Sequence, residues 1–167
     1  SCSGWPRVQP AGEFTRVGRS GGAPVQPPVL QQRAQHIAVH ASRARCETRV
    51  GARHALLLDG EGNLPGWVGI ELMAQTIAAW AGMQGRLRGE PVRIGMLLGT
   101  RKYRCQPTSF AAGAQLTIES SCLLQDGGMA SFECRILQDG RECATARLST
   151  YQPAPGELSD LLAKDVS

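Results

Sequence analysis

The chain of 167 residues has little histidine, few aromatic residues and little net charge. It holds three histidines, 5% aromatic residues and a formal charge of +4 at pH 7. Its positive charge lies at the front: residues 1–54 hold eight arginines and two glutamates, whereas residues 55–167 hold ten basic and twelve acidic residues. A nucleic-acid-binding domain needs a clustered basic face. We therefore expect no nucleic-acid partner.

The sequence also lacks a long apolar run and any cysteine spacing typical of a metal site. The most apolar stretch, Trp67 to Met83, contains Glu71 and Gln75 and is too short to span a bilayer. The first 30 residues lack the apolar core of a signal peptide. The six cysteines form no CxxC pair and have no histidine at zinc-ligand spacing. These features predict a cytoplasmic protein with reduced cysteines, no membrane span and no metal.

Composition divides the chain into three parts. Residues 1–28 contain thirteen Gly, Pro or Ser residues and no hydrophobic periodicity, and the first methionine of the chain is Met73. We expect this segment to be a disordered or non-native leader. Residues 29–153 are expected to form one folded domain, and residues 154–167 a C-terminal tail with a short helix over Leu158–Lys164.

Hydrophobic periodicity predicts an α+β domain. Two short strands are expected at 33–40 and 44–50. A helix follows over 67–86 that is apolar on nearly every side, which is typical of a helix buried all round. The period then changes to two, and this predicts strands over 93–105, 115–124, 129–137 and 142–151. In the second of these, Leu116, Ile118, Cys122 and Leu124 are expected to share one face.

The breaks between these strands favour an antiparallel sheet. Asp126-Gly127 and Asp139-Gly140 are Asp-Gly pairs between strand runs, a strong hairpin signal. We therefore predict a curved antiparallel sheet wrapped around the single long helix.

Glu71 and Gln75 are the polar residues of this helix that point to chemistry. They are four positions apart, so they share a helical face, which Ala78, Ala79 and Gly82 continue. Burial would raise the pKa of a carboxyl group there, as suits a general acid or base, whereas the helix N-terminus would lower it. Alternatively, Glu71 is only a helix-terminal charge satisfied by backbone N–H groups.

The segment around Glu71 resembles a known family. Pro65-Gly-x-x-x-x-Glu71-x-x-Ala-Gln75 is similar to the start of the central helix in 3-hydroxyacyl-acyl carrier protein dehydratases, which have the hotdog fold. The run from Trp67 to Gly82 and the run from Gly89 to Arg104 resemble the branch linked to aryl polyene biosynthesis. The resemblance covers about residues 59–153.

The resemblance implies an elimination of water from a 3-hydroxyacyl thioester, catalysed by a histidine and a glutamate from opposite subunits of a hotdog dimer. Glu71 matches the family's glutamate, Gly66 the glycine whose N–H polarises the thioester carbonyl, and Gln75 the supporting glutamine. The family's histidine position is occupied by Leu57. His54 is the nearby histidine and is predicted to be the acid/base partner.

The resemblance further implies an acyl carrier protein as partner, with the substrate on its phosphopantetheine arm and no other cofactor. Acyl carrier proteins are acidic, so a basic rim would steer docking. Arg101, Lys102 and Arg104 are the candidates, with Lys102 and Arg104 expected on one strand face and Arg101 on the other.

Two alternatives stay open. A thioesterase on the same fold would use Glu71 to activate water, since fold alone does not decide between hydrolysis and dehydration. A catalytically incomplete subunit, lacking the family's histidine, would bind the carrier or complete a partner's site. The dimer is accordingly either a homodimer or a heterodimer with a related hotdog subunit.

Overall fold

The structure is a computed structural model that describes residues 36–91, 93, 95–154 and 156–164. The predicted leader, residues 1–28, lies outside the described residues. The strands are β1 (His36–Val39), β2 (Arg43–Arg49), β3 (Leu64–Pro65), β4 (Met96–Cys105), β5 (Ser109–Phe110), β6 (Gln115–Asp126), β7 (Met129–Gln138) and β8 (Arg141–Tyr151). The helices are α1 (Val68–Leu87) and α2 (Glu157–Lys164), and a 3-10 helix covers Ala52–Leu57.

The six longest strands form one antiparallel sheet in the order β1-β2-β6-β7-β8-β4. Both predicted hairpins are confirmed. Gly127 and Gly128 join β6 to β7, and Asp139 and Gly140 join β7 to β8, all four with positive φ. Two successive residues with positive φ form the tight turn whose twist matches that of the flanking strands. The α+β architecture, an antiparallel sheet against one long helix, is thus as predicted.

One side of α1 packs on the inner face of this sheet. Trp80 meets Phe132 edge to face, with ring centroids 5.3 Å apart, and its indole N–H donates to the His40 carbonyl over 3.2 Å. These contacts anchor the second half of the helix to β7 and to the end of β1. The buried side of α1 consists of Val68, Gly69, Leu72, Met73, Thr76, Ile77 and Trp80.

The prediction that the sheet encloses α1 on every side is wrong for the single chain. Ile70 and Met83 are only half-buried, and Ala78 is exposed. A single-layered sheet covers only one side of a helix, so the described residues cover the opposite side of α1 only in part. Glu71 and Gln75 lie on this less buried side.

The predicted facing of β6 holds for its first half and is wrong at its end. Leu116 and Ile118 are buried as expected, but Leu124 is 67% exposed. The pairing with β7 shifts between Cys122 and Leu124, where β6 carries one extra residue. Such a β-bulge moves the following side chains to the other face of the sheet.

Two short elements that the periodicity did not indicate surround the start of α1. β3 pairs with β5 through Leu64–Phe110 and Pro65–Ser109. Leu64 and Phe110 are fully buried in the core. The segment from β4 to β5 is thereby tied to the residues just before α1.

No helix among the described residues is long and apolar enough to cross a membrane. The cysteines within the described ranges, Cys46, Cys105, Cys122, Cys134 and Cys143, are free thiols.

Replacing Phe132 with Ala tests how far the packing of α1 on the sheet stabilises the fold. Phe132 is 2% exposed, so its loss leaves a cavity beside Trp80, and we expect the free energy of unfolding to fall by about 3–5 kcal/mol. Leu124→Ala is the matched control, because this side chain is exposed and its loss should change stability by about 0.5 kcal/mol or less. Urea denaturation measures both; equal losses would contradict the assigned core.

Candidate active site

The site is built around the first turns of α1. Glu71 lies in the first turn and is half-buried. The Gln75 side-chain amide donates to Glu71 Oε1 over 3.1 Å, so the predicted pair on one helical face is formed. Ala74 and Gly82, with small side chains or none, lie on the same side of the helix. This side therefore offers a carboxylate with a fixed neighbour and little steric hindrance around it.

Gly66 lies where the backbone of two segments meets. Its N–H donates to the Thr108 carbonyl over 2.9 Å, and its carbonyl accepts a hydrogen bond from the Tyr103 hydroxyl. A Cβ atom on Gly66 would lie 2.9 Å from Thr108 O and 3.2 Å from Cys105 Sγ. Contacts this short explain why glycine is required here. They also mean that the N–H expected to polarise a thioester carbonyl is already paired with Thr108.

Tyr103 is the site residue that the sequence analysis missed. It is half-buried and bonds to Gly66, 37 positions earlier in the chain. Burial, followed by the neighbouring Cys105 and Cys143 thiols, raises the pKa of its hydroxyl well above the usual range. The hydroxyl therefore stays protonated and donates at any physiological pH. Strand periodicity alone carried no signal for this contact, because it depends on where β4 crosses the start of α1.

His54 lies in the 3-10 helix before the site. Its ring is 1% exposed, and its Nδ1 accepts a hydrogen bond from the Gly51 N–H over 3.4 Å. The ring thus forms a hydrogen bond within its own turn. Because the ring is buried, substrate would reach it only after a local rearrangement. Its role as acid/base partner of Glu71 stays a prediction.

The three basic candidates for docking lie on the edge strand β4. Arg101 pairs with Arg147 and Arg104 with Thr145, and the register shifts between them. Lys102, inside this bulge, has a φ of 54°. Paired residues share a sheet face, so Arg101 and Arg104 lie on the same outer face, and the expectation that Arg101 faces the other way is wrong. The sequence prediction assumed strict alternation of side chains along β4, whereas β4 holds one extra residue in this bulge.

A polar groove also runs over the outer face of the sheet. Its cavity volume is about 670 Å³. It is lined by both signs of charge, and the Arg135 Nε lies 2.6 Å from Glu119 Oε2. Lys102 and Arg104 line its β4 end. Glu71 is not among the lining residues, so this groove is separate from the carboxylate site.

The described residues contain no group of three or more His, Cys, Asp or Glu side chains able to hold a metal ion. The polar groups assembled at the start of α1 are a carboxylate, an amide, a phenol and backbone N–H groups. These groups move protons and polarise carbonyls, which are the tasks of acid/base chemistry on an acyl group.

Comparison with solved structures first identifies the class of fold. The chain aligns with a hypothetical thioesterase from Streptococcus pneumoniae in complex with coenzyme A, at 17% identity and a TM-score of 0.57, covering 71% of this chain and 88% of that chain. It also aligns with a mutant of the phenylacetic acid degradation protein PaaI from Thermus thermophilus, at 17% identity and a TM-score of 0.54, covering 72% and 92%. At these identities the likeness concerns the fold alone: the protein has the hotdog fold.

The family follows from closer similarities. Residues 33–163 match the ApeP-like family, described as ApeP dehydratase. A chain of the dehydratase heterocomplex ApeI:P from Xenorhabdus doucetiae aligns at 36% identity and a TM-score of 0.75, covering 82% of this chain and 92% of that chain. No curated protein sequence is significantly similar to the chain. The chain belongs to the ApeP-like dehydratase family.

These findings confirm the resemblance seen in the sequence. The protein is a hotdog-fold dehydratase, that is, a hydro-lyase. The thioesterase alternative fits less well, because the thioesterases among the similar structures share the fold at low identity, whereas the dehydratase match combines family and structure.

Replacing His54 with Ala separates the structural and the catalytic role of this ring. We expect the free energy of unfolding to fall by about 1–3 kcal/mol, since a buried ring is removed and the Gly51 N–H loses its acceptor. Thermal or urea unfolding measures this loss. Dehydratase activity per folded molecule then tests the sequence prediction. Activity that is lost in a folded variant supports His54 as an acid/base group, and full activity excludes it.

Proposed function

We propose that the protein removes water from a 3-hydroxyacyl thioester carried on the phosphopantetheine arm of an acyl carrier protein, and forms a 2-enoyl thioester. The observation that carries this proposal is the Glu71 carboxylate, held by Gln75 just after the tightly packed turn at Gly66, in a chain of a dehydratase family. We propose no cofactor of its own, since the elimination needs proton transfers and cleavage of a carbon to oxygen bond but no oxidation or reduction.

The reaction needs two proton transfers. One group removes a proton from the α-carbon, and the electron pair forms the new double bond as the β-carbon to oxygen bond breaks. The departing hydroxyl takes up a proton and leaves as water. Polarisation of the thioester carbonyl makes the α-proton acidic enough to be removed.

The Glu71 carboxylate is suited to one of these transfers. Its position on the less covered side of α1 leaves it within reach of an acyl group, and its bond to Gln75 limits its rotamers. Gly66 is the predicted source of carbonyl polarisation. Because its N–H donates to Thr108, the substrate carbonyl must share or displace that bond when it binds.

We infer that the second acid/base group comes from a related hotdog subunit. Three observations support this: Leu57 occupies the family's histidine position, His54 is buried, and one side of α1 is only partly covered. The similarity to a chain of a heterocomplex is consistent with a heterodimer. A partner seated on this side would cover α1 and complete the site.

The carrier is proposed to dock at the outer face of β4. Within the described residues, Arg101, Lys102 and Arg104 have no ion-pair partner. The central strands differ, since Arg135 pairs with Glu119 there. Uncompensated cations on an edge strand attract an acidic partner. Tyr103 lies between these cations and contacts Gly66, so the docking surface adjoins the site.

We place the reaction in the cytoplasm, as expected for a carrier-dependent enzyme with free thiols. A thioesterase activity would use the same carboxylate to activate water. It predicts free thiol without enoyl product, so one assay distinguishes the two reactions.

Replacing Glu71 with Gln tests the proposed acid/base role. The variant keeps the size and the polar character of the side chain but cannot exchange a proton, so kcat should fall at least about a hundredfold. The assay follows the 2-enoyl product from a 3-hydroxyacyl carrier substrate, with the chain alone and co-expressed with a related hotdog subunit that bears the family's histidine. Glu90→Gln, at an exposed salt bridge beyond the far end of α1, is the control.

Two results would contradict this proposal. Enoyl product that survives the Glu71 substitution would remove Glu71 from the mechanism. Full activity of the chain alone, as a monomer, would remove the need for a second subunit.

Replacing Arg101, Lys102 and Arg104 together with Gln tests the docking surface. We expect KM for the carrier-bound substrate to rise about tenfold at low ionic strength, with the difference shrinking at high salt because exposed charges are screened. Turnover of a short thioester without carrier should be unchanged. Arg141→Gln, an exposed arginine at the start of β8, is the control. Unchanged KM in the triple variant would rule out this surface.

A further inference from the structure

Tyr103 connects β4 to the start of α1. It lies in the bulge between Arg101 and Arg104, so its neighbours on β4 face outward while its own hydroxyl reaches the Gly66 carbonyl. The Gly69 N–H donates to the same carbonyl over 3.0 Å as α1 begins. The Gly66 carbonyl therefore accepts two hydrogen bonds, one from the start of α1 and one from the edge strand β4.

The residues around this bond are closely packed. A Cβ atom on Gly69 would collide with the Tyr103 hydroxyl, and it would lie 3.1 Å from Ile136 Cδ1 and 3.3 Å from Phe110 Cζ. Thr108 holds the N–H of Gly66 from the other side. The turn before α1 is thus held at its donor and at its acceptor by the segment from β4 to β5.

We propose that Tyr103 is a positioning residue of the dehydratase, which acts through the Gly66 carbonyl to hold the start of α1, and with it Glu71, in its reactive place. The inference rests on the proposed function of Glu71. Glu71 follows Gly66 by little more than one helical turn, so a shift of the Gly66 peptide displaces the carboxylate relative to the substrate. A displacement of about 1 Å is enough to lower a rate by about a hundredfold.

The chemistry of the phenol suits this role. Burial keeps the hydroxyl protonated, so it donates continuously and does not compete with Glu71 for protons. A hydrogen bond donated to a peptide carbonyl also polarises the N–H of the same peptide unit, here that of Trp67. Tyr103 consequently both orients and polarises the backbone at the positive end of α1.

Replacing Tyr103 with Phe in the active complex removes only the hydroxyl. We expect kcat to fall about tenfold while KM for the carrier substrate stays within about twofold, because the carrier-docking residues on β4 are unchanged. The matched control is Tyr151→Phe, which removes a tyrosine hydroxyl that donates to Glu157 over 2.6 Å, away from the site. Its kcat should stay within about twofold of the wild type.

A double-mutant cycle of Tyr103 and Gly69, measured as kcat, tests whether the two residues act on the active site together. Gly69→Ala in the wild-type background pushes the hydroxyl away from Gly66, and kcat should again fall about tenfold. In the Tyr103→Phe background the collision with the hydroxyl is removed, and the contacts with Ile136 and Phe110 require shifts of only a few tenths of an ångström, so the same substitution should cost at most about twofold more. Equal losses in both backgrounds, or a Tyr103→Phe variant with kcat within twofold of the wild type, would overturn the inference.

Amide hydrogen exchange tests the positioning independently of activity. Tyr103→Phe should speed exchange at residues 66–71 about tenfold, and Tyr151→Phe should leave it unchanged. An unchanged rate at 66–71 would overturn the inference even if the wild-type complex proves inactive. Inactivity of the wild type would instead count against the proposed function alone. The experiment therefore distinguishes a wrong function from a wrong role of Tyr103.

Discussion

The packing of α1 on the inner face of the sheet determines where every residue of the candidate site lies. Burial of one apolar side of the helix against alternate residues of β2, β6 and β7 sets the distance and rotation of α1 relative to the sheet. Trp80 fixes its second half on Phe132, and Gly69 allows its first turn to approach Tyr103 and Phe110 closely. The position of Glu71 follows from these contacts, since it shares the same rigid helix.

The same packing leaves the helix asymmetric, and the proposed chemistry uses that asymmetry. One side is buried without polar groups apart from Thr76, whose hydroxyl bonds within the helix to Leu72. The opposite side carries Glu71, Gln75 and small residues, and the described part of the chain covers it only in part. A carboxylate on such a side has access to substrate and to a second subunit, whereas one on the buried side would have neither.

Two β-bulges explain where reasoning from residue alternation was wrong. In β6 the extra residue near Cys122 turns Leu124 to the opposite face, and in β4 the extra residue around Lys102 brings Arg101 and Arg104 onto one face. Alternation in the sequence assumes an uninterrupted ladder. Whether a strand holds an extra residue depends on its register with the neighbouring strand, which a periodic pattern does not contain. The burial of His54 in the 3-10 helix could not be predicted from residue alternation either.

The long helix, the strands that follow it, both hairpins and the family motif from Pro65 to Gln75 could be predicted from the sequence, because these depend on local propensity and on residues close together in the chain. The pair of Glu71 and Gln75 was likewise visible, since helical spacing alone brings them together. The hydrogen bonds from the Gly66 N–H to the Thr108 carbonyl and from the Tyr103 hydroxyl to the Gly66 carbonyl could be seen only in the folded chain. Those contacts join segments far apart in the chain, and the order of strands in the sheet determines which segments meet.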